Sequence, residues 1–105
     1  MIVIFEEKYL EELYLNGASS DKKHRYQPNI VKRYKTCISI LKNAPRKEAL
    51  FPIKSLHFES LKGDKRGLYS IKVNDRYRIE FSITENIEQP VLTICNIVEL
   101  SNHYD

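Results

Sequence analysis

The chain has 105 residues, 42% of them apolar and 30% charged, which is one domain's length with enough apolar material to bury a core. A second domain, an intrinsically disordered chain and a uniformly basic histone-like protein are excluded, and residues 1–105 read as one domain. The net charge of +3 hides its distribution: residues 21–78 hold sixteen of the seventeen Lys and Arg but five of the fourteen Asp and Glu, a surplus of eleven, while the two ends carry a deficit of eight. Such a split favours a field on part of the surface, which attracts polyanions and makes nucleic acid a candidate partner. Lysines that merely solvate a helix are the plainer alternative.

In chain order, Ile2-Val3-Ile4-Phe5 is a continuous β-branched and aromatic run that reads as a buried strand. Glu6 and Glu7 then lead into Tyr9, Leu10, Leu13 and Tyr14 at helical spacing, with Asn16-Gly17 as the stop. After a polar, basic stretch, Pro28 suits the first turn of a second helix with the stripe Ile30, Tyr34, Cys37, Ile38 and Leu41, which ends before Pro45. Beyond Pro52 the pattern turns to strands at 56–61, 68–73, 77–83 and 91–100, so the fold class is α+β: an N-terminal strand, two helices, then a mainly antiparallel four-stranded sheet. Cys37 and Cys95 sit in separate apolar runs without zinc-site spacing and read as buried reduced thiols. The first apolar run is too short for a signal peptide or membrane span, so a cytoplasmic location with no membrane association is expected.

The middle hairpin constrains its own register. A two-residue loop at Asn74-Asp75 would set Val73 beside Arg76 and Ile71 beside Arg78, mixing core and charge on one face. A three-residue loop, Asn74-Asp75-Arg76, pairs Val73 with Tyr77, Ile71 with Ile79 and Tyr69 with Phe81. The other face then carries Lys72 opposite Arg78 and Ser70 opposite Glu80. Two neighbouring cations call for compensation by Glu80 or by an anion spanning them.

The stretch 61–81, Leu61-Lys62-Gly63-Asp64 followed by Gly67, a strand ending Val73-Asn74 and then Tyr77-Arg78-Ile79-Glu80-Phe81, resembles the core signature of HigB toxins of the RelE/ParE superfamily. Strand and helix order agree along the rest of the chain. The resemblance implies the toxin of a type II toxin–antitoxin pair, with two helices packed on the sheet. Its activity would be ribosome-dependent cleavage of mRNA in the A site by metal-free attack of a ribose 2′-OH on the adjacent phosphate. That reaction needs a base for the 2′-OH, cations for the developing charge and an acid for the 5′-oxygen; the 2′-OH restricts it to RNA.

By the same resemblance Arg78 stands at the catalytic arginine and Lys62 at the lysine of the LKGD element; their plainer roles are an ion pair of Arg78 with Glu80 or Glu59, and a solvated turn lysine. The chain departs from the family pattern in two places. It ends His103-Tyr104-Asp105 where Asp-Tyr-His is common, leaving His103 and Tyr104 as candidate acid or base and stacking group. It also has Glu59 where a histidine is common, with His57 two residues earlier. Strand alternation would put His57 and Glu59 on one face as a carboxylate-oriented imidazole, or Glu59 itself serves as base; a structural His–Glu pair is the alternative.

Around this core, Lys65 and Arg66 form a cationic turn between Gly63 and Gly67, and Lys72 and Arg76 flank the hairpin loop. Lys22, Lys23, Arg25, Lys32, Arg33 and Lys35 offer a surface for ribosomal RNA, or for an acidic antitoxin. His24, in this stretch, reads as exposed rather than catalytic. No phosphate loop, metal cluster or serine nucleophile motif is visible, so no cofactor and no metal are expected. The implied partners are a HigA-like antitoxin of the helix-turn-helix DNA-binding type, the ribosome and mRNA. A gyrase-binding ParE-like toxin without nuclease activity, or a non-catalytic RNA-binding relative, are the competing readings, because sister toxins share a fold.

Overall fold

The computed structural model describes residues 1–88 and 92–102. β1 (Ile2–Phe5) opens the chain, and α1 (Lys8–Asn16) follows it directly. Gly17 ends α1 in the left-handed conformation (φ 77°), where its N–H reaches the Leu13 carbonyl at 3.1 Å; glycine adopts this turn without a Cβ penalty. A 3-10 turn, Lys22–His24, is capped by the Asp21 carboxylate, which accepts from the Lys23 N–H. α2 (Pro28–Asn43) begins with Pro28 in its first turn and stops at Ala44, one residue before Pro45. Both helices thus start and stop where the sequence signals stand.

The segment after α2 departs from expectation. Instead of a strand over 56–61, it folds as two 3-10 turns, Lys47–Leu50 and Lys54–Leu56, and only Glu59–Ser60 forms a strand, β2. The turns aim Leu50 and Leu56 into the core, where both are fully buried, and a uniform strand would send only alternate residues to that side. β3 (Tyr69–Lys72), β4 (Tyr77–Asn86) and β5 (Leu92–Asn102) complete a five-stranded sheet in the order β1-β5-β4-β3-β2. The four later strands pair antiparallel, as expected, but β1 joins them as a fifth strand, parallel to β5 with Ile2 opposite Ile94. The β3–β4 register is the one that the three-residue loop dictates, with Tyr69 opposite Phe81, Ile71 opposite Ile79 and Lys72 opposite Arg78.

One face of the sheet is the core. Ile71, Ile79, Phe81, Cys95 and Ile97 are fully buried there against Leu10, Leu13, Tyr34, Cys37, Ile38 and Leu41 of the helices. The Tyr34 hydroxyl donates to the Leu10 carbonyl at 2.8 Å and ties α2 to α1. Burial pushes the phenols of Tyr26 and Tyr34 upward in pKa and that of Tyr9 to about 12. It also raises both free thiols, Cys95 to about 12, so neither cysteine is a reactive thiolate near neutrality. Among the described residues, no helix is long and apolar enough to cross a membrane.

Candidate functional site

The other sheet face holds the polar residues. By register, Glu59 of β2, Ser70 of β3, Glu80 of β4 and Glu99 of β5 form one row across it. Arg78 lies in the neighbouring row, between Lys72 and Ser101. A bulge between Glu80 and Phe81 shifts the β4–β5 register and keeps Glu99 opposite Glu80 rather than turning it to the core face.

Arg78 is the centre of this arrangement. It is 8% exposed, and its Nε donates to Ser70 Oγ at 2.9 Å while Nη2 donates to the His57 carbonyl at 2.5 Å. Both acceptors are neutral. Among the described residues no carboxylate pairs with it: Glu80 engages Lys65, Asp75 engages Lys72, and Glu59 is exposed and reaches no cation. The ion pair of Arg78 with Glu80 or Glu59 does not form, and the compensation expected from Glu80 goes to Lys65 instead. A buried cation without a counter-ion retains its desolvation penalty, and an incoming anion relieves it.

Glu80 is a residue that the sequence reading did not place in the site. Its carboxylate is buried, and both oxygens accept from Lys65 Nζ, at 3.0 and 2.8 Å. That hydrogen bond raises the Lys65 pKa, keeps the ammonium charged, and fastens the 3-10 turn Gly63–Lys65 over the polar face. The signal available in the sequence was Glu80 itself, a charge flanked by Ile79 and Phe81 within a core strand.

The remaining candidates divide into three groups. Glu59 and Lys62 are exposed, and their side chains have no partner among the described residues; Glu59 lies across from the Ser70 that Arg78 holds. His57 is not on a strand and does not pair with Glu59. It sits at the end of a 3-10 turn with φ 44°, the only described non-glycine residue with positive φ, and serves Arg78 through its carbonyl rather than its ring. His103 and Tyr104 lie outside the described residues.

Arg66 and Arg76 are exposed on their turns. Lys22, Lys23 and Arg25 are exposed around His24, which is partly buried: its ring stacks on Tyr9 at 3.5 Å and Nδ1 meets the Asp21 carboxylate at 2.8 Å. Lys32, Arg33 and Lys35 belong to α2, on the core side of the sheet. These three are held on the helix side, away from Arg78, whereas Lys23 and Arg25 line a cavity with Tyr77, Glu99 and Asn102, the strand neighbours of Arg78 and Ser101. Nor does the charge split of the sequence become one uniformly cationic face, since Glu80 and Glu99 share the face with Arg78. Among the described residues, no group of three or more His, Cys, Asp or Glu side chains is placed to hold a metal ion.

A family model describing the RelE-like toxin of the type II toxin–antitoxin system HigB matches residues 3–92. The chain belongs to this family. As a RelE-like type II toxin it has an antitoxin as its partner. In fold it is similar to the YoeB/ParE toxin from Agrobacterium tumefaciens, with a TM-score of 0.63 and 15% identity over 99% of this chain and 100% of that one. No curated protein sequence matches it significantly. The two-helix, mixed-sheet architecture found here is thus that of a YoeB/ParE-like toxin fold, and in this chain Arg78 lies on the sheet face that the helices leave open.

Proposed function

We propose that this HigB-like toxin is a ribosome-dependent endoribonuclease that cuts mRNA in the A site. The observation that supports this most is the buried Arg78 guanidinium, held by two neutral acceptors with no carboxylate beside it among the described residues. A preorganised cation of this kind is worth most where negative charge develops, as it does on the phosphorane formed when a 2′-oxygen attacks the neighbouring phosphate.

In the proposed reaction Glu59 accepts the 2′-OH proton. The 2′-oxygen bonds to phosphorus, the bond to the 5′-oxygen breaks, and a 2′,3′-cyclic phosphate and a 5′-hydroxyl result. Arg78 and Lys62 hold the phosphate oxygens, and Lys65 adds a cation whose charge Glu80 maintains. The proton for the leaving 5′-oxygen falls to the tail, His103 or Tyr104. No metal takes part. Lys22, Lys23, Arg25, Lys32, Arg33 and Lys35 dock on ribosomal RNA. The protein acts in the cytoplasm, and its antitoxin is a HigA-like helix-turn-helix protein.

The test is cell-free translation of a defined mRNA with the purified chain, mapping new 5′ ends. Cuts that require both ribosomes and Arg78 support the proposal. Intact mRNA alongside folded protein refutes it.

A further inference from the structure

At the β2 edge of the sheet, a groove of about 400 Å³ is lined by Phe51, Ile53, Lys54, His57 and Phe58. Phe51 is 53% exposed and rests on Phe58, with ring centroids 5.0 Å apart. Phe58 in turn stacks on Tyr69 at 5.4 Å, and beneath it the fully buried Phe81 anchors the series in the core. The outermost ring is thus presented to solvent on a rigid aromatic base. Beside it, the Lys54 ammonium and the His57 imidazole have no partner among the described residues.

Two features give this groove an occupant. It meets the proposed anion site at one residue, since His57 lines the groove and its carbonyl accepts from Arg78 Nη2 at 2.5 Å. Its lining also joins open π-faces to cationic side chains, a combination suited to unpaired bases on a polyanionic backbone, because every base offers a face for stacking and every nucleotide a phosphate. An apolar peptide or lipid would match Phe51 but leave Lys54 without a counter-charge.

We propose that the groove is a subsite for an unpaired RNA base next to the phosphate bound at Arg78, with the base stacked on Phe51 and Lys54 at its backbone. This deepens the nuclease reading and rests on it. The expectation is independent of cleavage, so it is tested by binding alone. Fluorescence anisotropy with a short 2′-O-methyl oligonucleotide, which cannot be cut, is compared with an oligonucleotide of equal charge lacking its bases.

Phe51→Ala is expected to weaken the base-bearing oligonucleotide about 5- to 100-fold, to leave the abasic one unchanged, and to keep the wild-type unfolding midpoint. Phe51→Trp is expected to retain the affinity. Lys54→Gln should weaken both oligonucleotides and lower the salt slope by about one. Equal affinity of wild type and Phe51→Ala, equal loss on both oligonucleotides, or no binding by wild type overturns the proposal. So does a Phe51→Ala protein that loses only its antitoxin. If Arg78→Ala binds as tightly as wild type while Phe51→Ala does not, the stacking groove stands and the anion-site reading fails.

Discussion

Replacing Arg78 with methionine separates the stability of this protein from its affinity for anions. The guanidinium is buried with no counter-ion among the described residues, a burden of several kcal/mol for an ion withdrawn from water. Its two hydrogen bonds, to Ser70 Oγ and the His57 carbonyl, return roughly 1.5–3 kcal/mol each because the donor is charged. These contributions nearly cancel, and methionine fills most of the same space without a charge. Arg78→Met is therefore expected to unfold within about 1 kcal/mol of wild type, where truncating a buried apolar side chain of the core such as Ile71 to alanine would cost roughly 2–5 kcal/mol. Inorganic phosphate should then distinguish the two proteins. At ten times its dissociation constant an anion bound only by the native state stabilises it by about 1.4 kcal/mol, and Arg78→Met should gain almost none of this. Urea unfolding in phosphate and in chloride at matched ionic strength measures both effects. Equal phosphate stabilisation of the two proteins refutes an anion site at Arg78. A loss above about 3 kcal/mol refutes the claim that its charge is uncompensated.

Three further outcomes follow from the geometry. The raised phenol pKa values mean that the unfolded chain ionises first, so stability is full below pH 10 and falls as pH climbs toward about 12 for Tyr9, by on the order of 1.4 kcal/mol per unit for each such group. Tyr34→Phe should flatten that alkaline slope while costing about 1–2 kcal/mol at neutral pH through its lost bond to the Leu10 carbonyl; an unchanged slope in a pH series of denaturant titrations would contradict it. His57→Gly should be neutral or slightly stabilising, because the backbone there has φ 44°, whereas His57→Val should lose roughly 1–2 kcal/mol; equal midpoints for the two variants would refute a backbone role. Glu80→Gln should reduce stability by less than about 1 kcal/mol, since its partner Lys65 is half exposed, but should speed amide exchange at Lys65, Arg66 and Leu68 of the turn it fastens; unaltered exchange would show that the ion pair does not hold the turn.

What the sequence made legible depended on how local each cause was. Gly17 and Pro28 mark helix ends through the dihedral angles they favour, and both act where they stand. The β3–β4 register was equally readable, because one turn of fixed length decides which side chains share a face. The route from Lys47 to Phe58 was not. Its 3-10 turns have no period to detect, and Leu50 and Leu56 are placed by the cavity they fill. At the site, Arg78 could be set on the polar face from its strand position, but its environment could not. Which carboxylates leave it unpaired depends on Lys65 reaching Glu80 and Lys72 reaching Asp75, and the left-handed turn at His57 that supplies an acceptor has no sequence marker of its own. The parallel docking of β1 joins residues more than ninety positions apart, beyond the reach of any local pattern.

That docking sets the order in which the molecule is completed. β5 lies between β1 and β4, so β1 has no partner strand in the sheet until β5 has been synthesised. Through most of synthesis Ile2-Val3-Ile4-Phe5 remains an unclosed apolar edge, and the row holding Arg78 lacks Ser101. A nascent copy of this chain therefore cannot complete the sheet, or the row in which Arg78 stands, before β5 has been made.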